Sequence, residues 1–151
     1  MTVPARLRPL PRHFRVLGVI GAAGVAPNTP GTRTVGAMEI WHNPRCSKSR
    51  ATKAILDERE VDYTERRYLD DPPDAATLDR VLTALGLEPW DITRFGEGVA
   101  SDLDLRNRPH DRANWIEVLV ANPVLIERPI VITDDGRAAI GRPPEAVEAL
   151  L

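Results

Sequence analysis

The sequence predicts an α/β fold whose elements follow the order β-α-β, then helices, then β-β-α. Three observations predict it: a strand-helix-strand pattern over residues 38–69, helical patterns between residues 74 and 122, and a hairpin signal followed by a helix after residue 129. The chain has 151 residues, of which 42% are hydrophobic, and this is enough to bury one core without disulfides. We therefore expect one domain over residues 38–151.

Changes in residue type mark the first strand, helix and strand. Residues 38–42, "MEIWH", predict a strand that ends at the turn Asn43-Pro44. Residues 47–59 combine strong helix formers with apolar side chains at helical spacing, and they predict a helix. Residues 61–69, "VDYTERRYL", predict a second strand that ends before a pair of prolines.

The middle of the chain predicts a helical insertion over about residues 74–122. Its first helix covers residues 74–86, where Asp74 can cap the start and Gly86 can end the helix. A second helix is predicted over residues 111–122, after a stretch with at most short helical turns. The apolar side chains of the first helix recur at helical spacing, at Leu78, Val81, Leu82 and Leu85.

The end of the chain predicts a hairpin and a closing helix. Residues 129–133, "PIVIT", and residues 137–141, "RAAIG", are strand-like segments joined by the turn Asp134-Asp135-Gly136. Residues 143–151 begin with two prolines, which are tolerated in the first turn of a helix, and predict a final helix.

Residues 1–37 differ in composition from the rest of the chain. They contain five arginines, no acidic residue and five of the fourteen prolines. We interpret them as an N-terminal extension that is disordered or not native, with Met38 as the working start. The alternative is a secretory signal with the apolar core "VLGVIGAAGVA", which is too short to span a bilayer.

Composition excludes several classes of function. A net charge of −2 gives no reason to expect a nucleic-acid or membrane partner. The single cysteine excludes an internal disulfide and a cysteine-rich zinc site, and the three histidines have no metal-ligand spacing. We therefore expect no bound metal.

The single cysteine lies in "HNPRCSKSR", where the first strand and turn lead into the first helix. A thiolate at this position gains from the unpaired N–H groups of the helix start, and each pKa unit of depression is worth about 1.4 kcal/mol. Arg45, Lys48 and Arg50 add nearby positive charge, and Ser49 faces back and can donate a hydrogen bond to the thiol. Cys46 is therefore the candidate nucleophile, against the alternative of a small buried apolar residue.

The residues around Cys46 exclude three familiar motifs. Cys46 to Ser49 reads C-x-x-S, so a dithiol redox motif is absent, and Thr52 stands where a cysteine phosphatase would have arginine. No G-x-x-x-x-G-K-[ST] phosphate loop occurs in the chain.

Three separated motifs together resemble the glutaredoxin-linked arsenate reductase family, ArsC. They are "HNPRCSKSR" at residues 42–50, "ERPIVIT" at residues 127–133 and "GRPPEAV" at residues 141–147. The resemblance implies a thioredoxin/glutaredoxin-like sheet with a helical insertion, over residues 38–151. This agrees with the order of elements predicted above.

The resemblance also implies a mechanism. By this resemblance, Cys46 would attack arsenate and form a thiol–arsenate adduct, glutathione would add, and a glutaredoxin-type protein would resolve the mixed disulfide as arsenite leaves. The oxyanion would be held by the side chains of Arg94, Arg128 and Arg142, since guanidinium groups bind such anions with paired hydrogen bonds. Supporting positions around the thiol are His42, Asn43, Ser49, Arg50 and Pro129, the last expected to be a cis proline.

A lone thiol cannot resolve its own adduct, so turnover requires glutathione or another small thiol as co-substrate, with no bound cofactor. This chemistry fits the reducing cytoplasm.

Two alternatives remain open. A monothiol oxidoreductase acting on glutathione-mixed disulfides would need Cys46 but not all three arginines. A non-enzymatic interaction protein, like the transcription regulators of this fold, would usually carry C-x-x-C, which is absent here.

Overall fold

The computed structural model describes residues 37–151, so the prediction for the N-terminal extension lies outside the described residues except at Ala37. The order of elements is the predicted one. The strands are β1 (Met38–Trp41), β2 (Tyr63–Arg66), β3 (Ile130–Thr133) and β4 (Ala138–Ile140). The α-helices are α1 (Ser47–Glu58), α2 (Ala75–Leu85), α3 (Gly98–Asp102) and α4 (Arg112–Ala121). Short 3-10 helices cover Leu105–Asn107, Pro123–Leu125 and Pro144–Leu150.

The four strands form one mixed sheet in the order β2-β1-β3-β4. Strand β1 runs parallel to β2, with Met38 opposite Tyr63, and antiparallel to β3, with Trp41 opposite Ile130. Strand β4 pairs with β3 in an antiparallel hairpin. The predicted thioredoxin-like α/β class is confirmed, and the loop that carries the thiol leaves a strand with a neighbour on both sides.

Apolar side chains cover both faces of the sheet. On one face, Met38 and Ile40 of β1 pack with Leu56 of α1 and with Val147 and Leu150 near the C-terminus. On the other face, Trp41 and Ile130 pack against the helical insertion. Successive residues of a strand point to opposite faces, so β1 contributes to both clusters.

Helix α2 has the predicted caps. The Asp74 carboxylate accepts a hydrogen bond of 2.7 Å from the Thr77 backbone N–H. Gly86 has φ 66°, a left-handed conformation that costs glycine little. Within residues 37–151 no helix is both long and apolar enough to cross a membrane.

Two predicted elements differ from those observed. The second strand was predicted over residues 61–69 but pairs only over Tyr63–Arg66, because the Arg67 carbonyl accepts the turn N–H groups of Asp70 and Asp71. The final helix is 3-10 rather than α, and its first turn is closed by the Ala146 N–H donating to the Pro143 carbonyl, three residues back.

Candidate active site

Cys46 is the N-cap residue of α1, in the loop that follows β1. Its backbone N–H donates to the Asn43 carbonyl at 3.0 Å, and its carbonyl accepts from the Arg50 N–H at 3.0 Å. The residue is 9% exposed. The thiol therefore lies beside the unpaired N–H groups of a twelve-residue helix while remaining reachable from solvent.

The surroundings of Cys46 lower the pKa of its thiol below the ordinary value. Burial raises that pKa, but the backbone N–H groups of Ser49 and Lys48 and the side chain of Arg128 lower it by more. The guanidinium responsible comes from a distant part of the chain. The sequence predicted a contribution from the N–H groups of the helix start and a further one from the side chains of Arg45, Lys48 and Arg50, all of which are exposed.

A buried polar network fixes the loop before Cys46. The Ser49 hydroxyl lies 2.7 Å from His42 Nδ1 and accepts a hydrogen bond of 3.0 Å from the Asn43 N–H. The pKa of His42 is lowered, mainly by burial, which favours a neutral ring. Its Nδ1 can then accept a hydrogen bond from the Ser49 hydroxyl. The expectation that the Ser49 hydroxyl faces the thiol was wrong: its partners are His42 and Asn43.

Two further supporting residues brace the same loop. Arg50 Nη1 donates to the Pro44 carbonyl at 2.8 Å, so its guanidinium holds the loop before the thiol. The Asn43 side-chain oxygen accepts from the Arg45 N–H at 2.9 Å.

Arg128 and Arg142 converge on the thiol. Arg142 Nη2 lies 3.8 Å from Cys46 Sγ, and Arg142 Nε donates to the Arg128 carbonyl at 2.7 Å. Arg128 Nε is buried without a hydrogen-bond partner within residues 37–151. The peptide bond between Arg128 and Pro129 is cis, as the resemblance implied, and so is the bond between Arg142 and Pro143.

Arg94 follows Thr93, which forms an isolated bridge with Ile126, two residues before Arg128. Beside that bridge, the Arg94 N–H donates to the Leu125 carbonyl at 2.7 Å. The Arg94 guanidinium is paired with Glu97. The insertion therefore delivers its arginine next to the segment that carries Arg128.

Glu127 links the arginines, a role that the sequence did not predict. Its Oε1 lies 2.8 Å from Arg142 Nε and 3.9 Å from Arg94 Nε. The same oxygen accepts the Arg128 backbone N–H at 3.1 Å. The residue begins the "ERPIVIT" motif, but an acid beside an arginine does not by itself indicate such a contact.

Tyr68 was also missed, since it was interpreted as part of a strand. It lies in the turn after β2 with a fully buried side chain. Burial raises the pKa of its hydroxyl, while Arg128 and Arg94 lower that pKa and the Cys46 thiolate raises it. The groups that act on the pKa of its hydroxyl therefore include the thiol and two of the three candidate arginines.

The arrangement places a thiol of lowered pKa beside the guanidinium group of Arg142. A thiolate can attack an electrophilic centre, and guanidinium groups can hold the oxygens of that centre while negative charge moves onto them. A mixed sheet with a lone thiol at the start of its first helix, and a cis proline leading into the neighbouring strand, defines a thioredoxin-like thiol protein with an arginine-lined site.

Comparison with known proteins gives the family. Residues 41–150 match the model of the ArsC family, and the chain belongs to that family, the arsenate reductases and their relatives. A structure of an arsenate reductase from Vibrio cholerae is similar with a TM-score of 0.73 and 36% identity, covering 78% of this chain and 99% of that one.

Two relatives illustrate the range of the family. An arsenate reductase of Neisseria meningitidis is 40% identical over 115 residues, which is 76% of this chain and 97% of the relative. An uncharacterized protein from the glnII region of Streptomyces viridochromogenes is 49% identical over 117 residues, which is 76% of this chain and 98% of the relative.

Proposed function

We propose that this protein reduces arsenate to arsenite through a thiol–arsenate adduct on Cys46. The observation that carries the proposal is the position of Arg142 Nη2, 3.8 Å from Cys46 Sγ, together with the Arg128 guanidinium that lowers the pKa of the same thiol. An anion held by these two groups would present its central atom to the sulfur. The names of several relatives support arsenate as that anion.

The reaction needs one external thiol in each turnover. The Cys46 thiolate bonds to arsenic and an arsenate oxygen leaves as water, with Arg94, Arg128 and Arg142 holding the remaining oxygens. Glutathione then supplies the second thiol. Arsenic gains two electrons as the two sulfurs are oxidised to a Cys46–glutathione disulfide, and a glutaredoxin-type partner reduces that disulfide. Such thiols are kept reduced in the cytoplasm, where we place the protein.

The test is arsenite formation from arsenate with glutathione and glutaredoxin, with each component omitted in turn. We expect activity in the parent, no activity in Cys46→Ser, and a loss of at least about a hundredfold in kcat/KM for Arg128→Ala, which removes an oxyanion donor. Arg45→Ala removes an exposed arginine next to the thiol in sequence, and it should retain activity.

A folded parent that shows no arsenite formation would contradict the proposal. Activity against glutathione-mixed disulfides in that same preparation, dependent on Cys46 but insensitive to Arg128→Ala, would instead assign the protein as a monothiol oxidoreductase.

A further inference from the structure

The Tyr68 hydroxyl is a buried polar group without a hydrogen-bond partner within residues 37–151. The side chain is 0% exposed, and its hydroxyl forms no hydrogen bond with any part of the chain that the structure describes. Its ring packs in the core cluster that also contains Trp41, Leu78 and Ile130. A phenylalanine would fill the same space without leaving a buried hydroxyl unsatisfied, so packing alone does not account for a tyrosine here.

The surroundings of this hydroxyl belong to the anion site. Tyr68 follows β2 by two residues, at the end of the sheet where β1 leads into the Cys46 loop, since Trp41 lies opposite Arg66. Arg128 and Arg94 lower the pKa of the phenol there, and the Cys46 thiolate raises it. By distance and angle, the Tyr68 hydroxyl forms no hydrogen bond with the Arg128 side chain. Arg128 Nε is itself buried without a partner within residues 37–151. An acceptor bound between these two donors would satisfy both of them.

We propose that Tyr68 is a catalytic residue whose hydroxyl donates a hydrogen bond to the oxyanion bound beside Cys46. The inference rests on the proposed function. It adds the Tyr68 hydroxyl as a fourth group that binds the oxyanion, beside the three arginines. A phenol contributes a directional donor without adding charge, so it can stabilise oxygen that becomes more negative during thiolate attack. Burial keeps this hydroxyl protonated, as a donor must be.

The experiment measures how oxyanions protect Cys46 from alkylation by iodoacetamide. Arsenate, phosphate and sulfate are titrated separately against the parent, Tyr68→Phe and Tyr63→Phe. Tyr63 is the other tyrosine of the chain, and its hydroxyl donates to Asp57 at 2.5 Å rather than into the site. Thermal unfolding of each variant is recorded alongside.

In Tyr68→Phe, the anion concentration that gives half-maximal protection should rise about tenfold, the loss expected for one hydrogen bond to a charged acceptor. Tyr63→Phe should leave it unchanged. The unfolding midpoint of Tyr68→Phe should not fall, because only an unpaired buried hydroxyl is removed. Equal protection of the parent and Tyr68→Phe would overturn the inference.

The same titration separates this inference from the proposed function. If arsenate protects the parent and Tyr68→Phe equally, the role of Tyr68 is refuted and the reductase proposal stands. If phosphate or sulfate protects the parent and arsenate does not, the reductase proposal fails. The protecting anion then tests Tyr68: about tenfold weaker protection in Tyr68→Phe supports its role, and equal protection overturns it. If none of the three protects the parent, both are overturned.

Discussion

At the scale of single residues, the main question is what lowers the pKa of a buried thiol. Burial alone would raise the pKa of Cys46, and the opposing effect comes from two backbone N–H groups and from Arg128. The cations beside Cys46 in sequence are exposed, and water screens exposed charges. The lowered pKa therefore comes from the backbone N–H groups at the start of α1 together with Arg128, which only the folded chain brings near the thiol.

The pH profile of Cys46 alkylation tests this origin. A thiol is an acid, so a lowered pKa gives more thiolate at neutral pH, and the midpoint of the rate should lie below that of an ordinary cysteine. Arg128→Gln removes a charge that stabilises the thiolate, so it should move the midpoint to higher pH. Arg45→Gln is the matched control and should not move it. A shift in the control as large as that in Arg128→Gln would contradict this account.

Glu127 is expected to limit how strongly the site binds anions. Its carboxylate lies 2.8 Å from Arg142 Nε and therefore competes with an oxyanion for that guanidinium. Glu127→Gln keeps a side-chain oxygen and removes the charge, so half-maximal protection of Cys46 should need about threefold to tenfold less arsenate. Glu148→Gln, which removes the partner of Arg59, is the control. Weaker binding in Glu127→Gln would mean that the carboxylate mainly positions the arginines.

At the scale of elements, the loop between β1 and α1 is held by the Ser49 hydroxyl. It joins His42 Nδ1 and the Asn43 N–H, and all three residues are buried. Ser49→Ala would leave both groups without this partner, so we expect it to lower the free energy of unfolding by about 2 kcal/mol. Ser47→Ala removes an exposed hydroxyl in the same turn of α1 and should change it little. Denaturant unfolding of the two variants tests this difference.

The hairpin is held tightly against α1 at Gly141. A Cβ at this position would overlap with Thr52 Oγ1 and would lie 2.7 Å from Pro129 Cγ. Gly141→Ala should therefore lower stability by about 1–3 kcal/mol and weaken oxyanion binding, since Arg142 is the next residue. Gly96→Ala, where a Cβ has no neighbour within 4 Å, is the control. Equal unfolding curves for the two variants would contradict the close contact.

At the scale of the whole molecule, the site joins parts of the chain that are far apart in sequence. The caps of α2 and the turn of the hairpin could be predicted because their signals are local. The strand pattern did not show that β2 ends at Arg66 and leaves Tyr68 in a turn. Glu127 and Tyr68 carried no recognisable signal, because their contacts exist only once the insertion and the sheet have come together. The arginines of the anion site were found through motifs, and their use there stays a prediction.

The central claim is that Cys46 and glutathione together supply the two electrons that reduce arsenate. Its most direct test is a single turnover with arsenate and glutathione but no glutaredoxin, followed by intact-mass analysis of the protein and measurement of arsenite. We expect about one arsenite for each protein, and Cys46 left as a glutathione disulfide only when arsenate is present. Glutathionylation of Cys46 that does not depend on arsenate, with no arsenite released, would contradict the claim.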